Sequence, residues 1–355
     1  MNKINNILKK QKSIPIDQFI NIALYEKKSG YYMKKNPFGN NGDFITSPLI
    51  SNLFCEMIGI WCVAFWEHLG KPKKIFLAEL GPGDASLCEN LLNTFKNFKD
   101  FYKCVEIKLL EKSDKLQTIQ KSKIKNKKVN WIKEINELKK GPIIFLGNEF
   151  FDAMPIKQIH KKRKLLFEKH VSLSKDMKKI EFIYKKANKT LIKKIQKLNL
   201  INREGDVIEY PIAAIECLKL IAKKIEKFDG ALLSFDYGYT KKKNINTLQS
   251  VKNHKYINIL SDPGNSDITH HINYSLFKEI LKKNKMDVKK IVTQSEFLQK
   301  MGILERANIL MKNTNFKTKI NLFYRLKKLL HYQEMGALFK VMLAQKKKNK
   351  FSLGF

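Results

Sequence analysis

The chain has 355 residues, 43% of them hydrophobic, and a formal charge of +36 from 69 Lys and Arg against 33 Asp and Glu. That length and apolar share suit two domains, or one sheet domain with insertions, around a substantial core. Only Arg163, Arg203, Arg306 and Arg325 carry the planar fork that phosphate and base readers generally recruit, and lysine is spread along nearly the whole chain, so the charge reads as a compositional lysine surface rather than a dedicated nucleic-acid face.

The N-terminal MNKINNILKKQK has no apolar stretch long enough for a signal peptide. Ile16 to Lys27 carries helical spacing and stops at Ser29-Gly30. Gly30 to Pro48 is a Gly/Asn/Pro-rich loop, and its Phe44, Ile45 and Thr46 are residues a purely solvated loop does not need, which marks it as functional. Pro48 opens a second helix running to about His68 and ended by Gly70. The most apolar region, Met57 to Trp66, is too short to span a bilayer.

Strands are then expected at Lys74–Leu80, Val105–Leu110, Val129–Ile132, Pro142–Leu146 and Ala231–Phe235, with Val288–Thr293 near the end. Their alternation with helical segments such as Ala85 to Phe98 implies an α/β fold with a parallel, doubly wound sheet. Ile156 to Lys227 interrupts it with β-like runs (Ile180–Tyr184, Asp206–Tyr210) and lysine-rich helices such as Asn188 to Leu198. After Thr293 the chain reads as helical to about Gln345, followed by a solvated tail, KKKNKFSLGF. The organisation expected is a helical region over 1–71, a sheet domain over 72–300 with an α+β insertion at about 156–228, and a helical, basic C-terminal region over 301–355.

Cys55, Cys62, Cys88, Cys104 and Cys217 are odd in number and form no C-x-x-C, which excludes zinc ribbons and thioredoxin-type sites. Free thiols in apolar runs pack as small hydrophobes, and a reducing cytoplasm is the expected compartment. His270 and His271 are adjacent, so they cannot both face one ion from a regular strand, and no metal is expected.

The most informative stretch is IFLAELGPGDASL, Ile75 to Leu87. An apolar strand runs into Glu79-Leu80-Gly81-Pro82-Gly83, where glycine lets the backbone turn sharply and approach a ligand. Glu111 ends the next strand, where a carboxylate can accept hydrogen bonds from both ribose hydroxyls. The third glycine of a dinucleotide fingerprint is missing, Asp84 would repel phosphate at the helix start, and no Gly-Lys-Ser/Thr follows. An adenosine ligand with a positive centre fits better. S-adenosylmethionine is that ligand, its sulfonium and ammonium to be met by Glu79 and Asp84.

The fourth strand exits through GNEFFDAMP, which puts Asn148, Glu149 and Asp152 at the carboxyl edge of the sheet, where ligands sit in open α/β folds. The fifth exits through SFDYGY and adds Asp236 and Tyr237. No G-x-S-x-G elbow and no Cys/His pairing supports hydrolysis.

In order along the chain, SGYYM (29–33), GDFITSPLISNLFCEMIG (42–59), LAELGPG (77–83), NEFFDAMPIKQ (148–158), FDYGY (235–239), DPGNSDITHHINY (262–274), TQSEFLQKMGILERA (293–307) and MGALFKVM (335–342) resemble the MidA-like S-adenosylmethionine-dependent methyltransferases, whose mitochondrial members are complex I assembly factors. The resemblance implies a Rossmann-like class I methyltransferase sheet with helical additions at both ends and an inserted α+β subdomain. It also implies methyl transfer to a protein arginine, giving symmetric dimethylarginine on a core subunit of respiratory complex I. Gly81 and Gly83 match the family's cofactor turn and Glu111 its ribose carboxylate, and Gly42 to Pro48 resembles a loop that closes over cofactor and substrate. Thr46 in that loop joins Glu79 and Asn148 as cofactor-binding candidates. The chain departs from the family at Asp84, where Arg is common, and at Ile272-Asn273-Tyr274, where Val-Asp-Phe is common.

An arginine nucleophile arrives protonated, so carboxylates must orient it, hold its charge and help remove a proton as the N–C bond forms. Glu149 and Asp152 are the catalytic candidates, with Asp236 behind them. Two rival readings are methylation of RNA or DNA, suggested by the charge, and a cofactor-binding assembly factor without turnover.

Overall fold

The protein is described by a computed structural model over residues 2–34, 37, 46–198, 200, 207–241, 245–312 and 314–355. The chain divides into two units, a smaller one of Met1–Lys35, Asp152–Cys217 and Lys241–His271, and a larger one of Asn36–Phe151, Leu218–Thr240 and Ile272–Phe355.

The larger unit is built on β1 (Ile75–Leu80), β2 (Val105–Leu110), β3 (Val129–Ile132), β4 (Ile143–Asn148), β5 (Gly230–Tyr239), β6 (Ile272–Asn273), β7 (Met286–Val288), β8 (Val292–Thr293) and β9 (Phe339–Lys346). Their order is β7-β9-β5-β4-β1-β2-β3, with β6 on β5 and β8 on β9. Strands β1 to β5 pair in parallel, and β9 runs antiparallel to β5, β7 and β8. The expected α/β class with a doubly wound sheet is therefore present, with one antiparallel strand inserted near its edge. Every residue of β1 is buried, as expected of a strand covered on both faces, and only Glu79 interrupts its apolar run. The helix Asn52–His68 contributes Phe54, Trp61 and Phe65 to the core, where Phe54 meets Phe235 edge-on with ring centroids 5.3 Å apart. Because β2 and β4 flank β1, the strand order reverses there, and the carboxyl ends of β1 and β4 form a topological switch point.

Three expectations are corrected. The stretch expected to be helical to Gln345 ends in β9, in which Val341, Met342, Leu343, Ala344 and Gln345 are all buried. A strand covered on both sides has no period-2 signal to separate it from a buried helix. The C-terminal tail is packed rather than solvated, since Trp61 Nε1 donates to the Leu353 carbonyl at 3.2 Å and the Phe351 ring lies 5.5 Å from Trp61. The helix opened by Pro48 is broken at Ser51, which is extended and caps Asn52–His68 by accepting from Leu53 N–H. One serine capping a new helix start outweighs continuity of the apolar pattern.

The smaller unit holds an antiparallel sheet ordered Ser13–Pro15, Leu165–Leu173, Lys157–Lys162, Val207–Tyr210, with Ile180–Lys186 also on Leu165–Leu173. Gln249–Lys252 pairs with both Lys255–Ile257 and Asp267–Thr269 in a second, three-stranded sheet. No helix among the described residues is long and apolar enough to cross a membrane.

Candidate functional site

In the larger unit β1 passes directly into Gly81-Pro82-Gly83, with Gly81 at φ 63° and Gly83 at φ 55°. A Cβ on Gly81 would stand 2.9 Å from Phe150 Cδ2, so this turn needs glycine for both conformation and space. Ala85 also takes a left-handed φ of 64°, and the helix Ser86–Phe95 follows.

Glu79, the fifth residue of β1, is buried, and its Oε2 has no hydrogen-bond partner among the described residues. Burial, and then the negative charge of Asp84, push its carboxyl up to about 8. An ionisable oxygen left this way needs a cationic or hydrogen-bonding partner to stay charged. Asn148, at the end of β4, likewise has a buried Oδ1 without a partner, while its Nδ2 donates to Glu149 Oε1 at 3.3 Å. The oxygens of Asp84, the other expected counter-charge for the ligand, accept from Ser86 N–H (3.0 Å) and Ser86 Oγ (2.7 Å), and Lys123 Nζ lies 3.1 Å away.

Glu111 follows β2 and is buried. Its Oε1 accepts from Ser113 N–H at 2.7 Å and its Oε2 from Gln120 Nε2 at 3.1 Å. Burial raises its carboxyl above the ordinary value, and the Ser113 and Gln120 bonds oppose that rise. Gln120 also donates to the Gly83 carbonyl at 2.8 Å and accepts from Trp131 Nε1 at 2.8 Å, so one amide ties the glycine turn to the acidic strand end. Reading the sequence missed Gln120, because a glutamine in a lysine-rich helix carries no spacing signal.

Glu149 stands at φ 51°, a left-handed conformation that costs a non-glycine residue about 1–3 kcal/mol and that clusters at functional sites. Its N–H donates to the Phe235 carbonyl at 2.9 Å, which fixes the exit of β4 against β5. Asp236 is fully buried, and its Oδ2 accepts from Phe151 N–H (3.0 Å) and its Oδ1 from Tyr237 N–H (3.1 Å). The Asp236 side chain thus holds the segment that carries Glu149. Thr46 is half-buried and precedes the short helix Ser47–Ile50, which packs on Ser86–Phe95. Residues 42–45 of the expected closing loop lie outside the described residues.

Asp152 opens the central segment of the smaller unit and is buried. Its carbonyl accepts from His270 N–H at 3.1 Å, Tyr25 Oη donates to the Ala153 carbonyl at 3.0 Å, and His270 Nε2 lies 3.1 Å from the Met154 carbonyl. His270 therefore clamps the backbone at 152–154. Among the described residues no three His, Cys, Asp or Glu side chains gather as a metal site.

A family model described as "Putative S-adenosyl-L-methionine-dependent methyltransferase" matches residues 57–292. The protein arginine methyltransferase NDUFAF7, mitochondrial, of Xenopus laevis is 29% identical, covering 95% of this chain and 83% of its own length. The Caenorhabditis elegans homolog of the same name is 30% identical over 84% of this chain and 75% of its own length. A Burkholderia thailandensis protein crystallised with S-adenosyl-homocysteine shares the fold, with a TM-score of 0.84 at 22% identity, covering 98% of this chain and 92% of that one. The relatives' names correct the expectation of a cytoplasmic protein, since they point to mitochondria instead. Free cysteines misled that reading because a reduced thiol reports redox state and not which reducing compartment holds the protein.

Proposed function

Since the chain belongs to the family of S-adenosyl-L-methionine-dependent methyltransferases, we propose that it is a mitochondrial protein arginine methyltransferase acting on a core subunit of respiratory complex I and yielding symmetric dimethylarginine. Its relatives' names support the arginine substrate, and the sequence resemblance supports the complex I subunit. The observation that supports the cofactor site is the buried Glu79 Oε2, which has no hydrogen-bond partner among the described residues and stands two residues before the Gly81–Gly83 turn.

When bound, S-adenosylmethionine supplies an electrophilic methyl group on a sulfonium. Glu79 would hold the cofactor's ammonium, Glu111 would accept from its ribose hydroxyls, Asn148 would offer its side-chain carbonyl oxygen, and Gly81 and Gly83 would allow close backbone approach. Thr46 would complete the cofactor set. Glu149 would orient the guanidinium and take up the proton it releases as the N–C bond forms and the methyl's bond to sulfur breaks, leaving S-adenosyl-homocysteine; Asp152 is a second proposed carboxylate for the reaction. Asp236 acts through the backbone it holds, keeping Glu149 in place. Rate then comes mainly from positioning and exclusion of water, the latter assigned to Phe150 and Phe151.

The test is transfer from isotopically labelled S-adenosylmethionine to isolated complex I subunits, read by mass spectrometry. Label is expected on an arginine, and Glu149→Gln is expected to lower transfer by at least about a hundredfold with cofactor affinity retained, the scale of a lost general base. No label on any arginine of those subunits would overturn the substrate. Undiminished turnover in the variant would remove Glu149 from the chemistry.

A further inference from the structure

The helix Phe316–Leu330 packs inward through Leu326 and Leu329, yet exposes large apolar side chains on another face. Phe316 is 77% exposed, Phe323 and Tyr324 are each 63% exposed, and Ile320 is exposed between them. At 3.6 residues per turn these four fall in one stripe about 100° wide. Leu304, Ile309, Tyr332 and Leu338, on neighbouring segments of the same unit, are exposed as well. Eight of the fifteen exposed large hydrophobic residues in the described chain thus lie between Leu304 and Leu338, and four of them form the stripe on this helix.

The charge on this helix has one sign. Lys317, Lys319, Arg325, Lys327 and Lys328 are exposed, and no Asp or Glu occurs between Glu305 and Glu334. Lysine is common everywhere in this chain, so the positive charge alone decides nothing. What decides is the combination of a protruding aromatic stripe, flanking lysines and an absence of acids. A second copy of the chain seated two-fold on this face would bring lysines against lysines with no carboxylate on the helix to neutralise them.

We propose that Phe316–Leu330 docks the protein on the surface of an anionic phospholipid bilayer. The aromatic rings enter the interfacial layer, while the lysine stems lie along it and hold their ammonium groups at the phosphates. The attachment is peripheral and is driven jointly by apolar burial and by charge.

The full-length protein is sedimented with vesicles of phosphatidylcholine alone and of phosphatidylcholine with about a third phosphatidylglycerol. Binding to the anionic vesicles only, weakened by salt, is expected. Phe316→Ser/Phe323→Ser/Tyr324→Ser leaves the net charge unchanged and is expected to lower partitioning at least about tenfold. Retained S-adenosyl-homocysteine affinity reports that the triple variant is folded. Equal partitioning of a folded triple variant would overturn the proposal in favour of diffuse adsorption through lysine. A native protein indifferent to both vesicles would overturn it too, as would a native dimer split by the substitutions without any lipid binding.

Discussion

At the residue scale the chemistry turns on Glu79. Its carboxyl is held up near 8, above the ordinary 4.5, by burial and by Asp84. A folded value above the unfolded one means that the residue's contribution to the cofactor-free fold is fully present below about pH 4.5 and is lost as pH rises through about 8. A cationic ligand prefers the carboxylate, so cofactor affinity should increase over the same window. Glu79→Gln is therefore expected to act in opposite directions. It should flatten the fall in melting temperature of the cofactor-free protein between pH 5 and pH 8, and weaken cofactor binding about ten- to a hundredfold, the scale of one charge-assisted contact. Thermal scans across pH and calorimetry with S-adenosyl-homocysteine check the two halves, and a variant bound as tightly as the native protein would detach Glu79 from the ligand. Gly81, Gly83, Glu111 and the Asn148–Asp152 run could be singled out because strand ends with glycine or carboxylates stand out against apolar runs. The pairing of Asp84 with Lys123 could not, because it depends on a lysine 39 residues away.

At the element scale the decisive piece is β9, which separates β7 from β5 and reverses the strand direction near the sheet edge. Leu343 in its centre is fully buried, and its register partner on β5 is Leu233. Leu343→Ala is expected to destabilise the larger unit by about 2–5 kcal/mol, the usual cost of emptying a closed core position. Denaturant unfolding with an unchanged slope would measure it, and a loss below about 1 kcal/mol would mean that the strand is not tightly covered. The first three parallel strands were legible almost to the residue, since each is short, apolar and bounded by glycine or charge. β9 was not, because MGALFKVMLAQK is equally apolar under a helical or a strand reading.

At the scale of the whole molecule the excess of 69 basic over 33 acidic residues sets a self-repulsion that salt relieves. Melting temperature is expected to rise between about 50 and about 500 mM sodium chloride, as the screening length shortens. A fall would mean that the ion pairs, such as Lys157 with Asp17 and Glu168, outweigh the repulsion. The sequence by itself determined the α/β class, the glycine turn and its acidic neighbours, because these depend on local periodicity and on what a strand end can present to a ligand. Tertiary structure alone decided that Ser13–Pro15 pairs with His170–Ser172, that Gln120 links Glu111 to Gly83, and that Asp236 secures Phe151. Those contacts join residues far apart in the chain through single hydrogen bonds or strand pairings, and no local pattern records which distant partner a polar group or a strand edge will find.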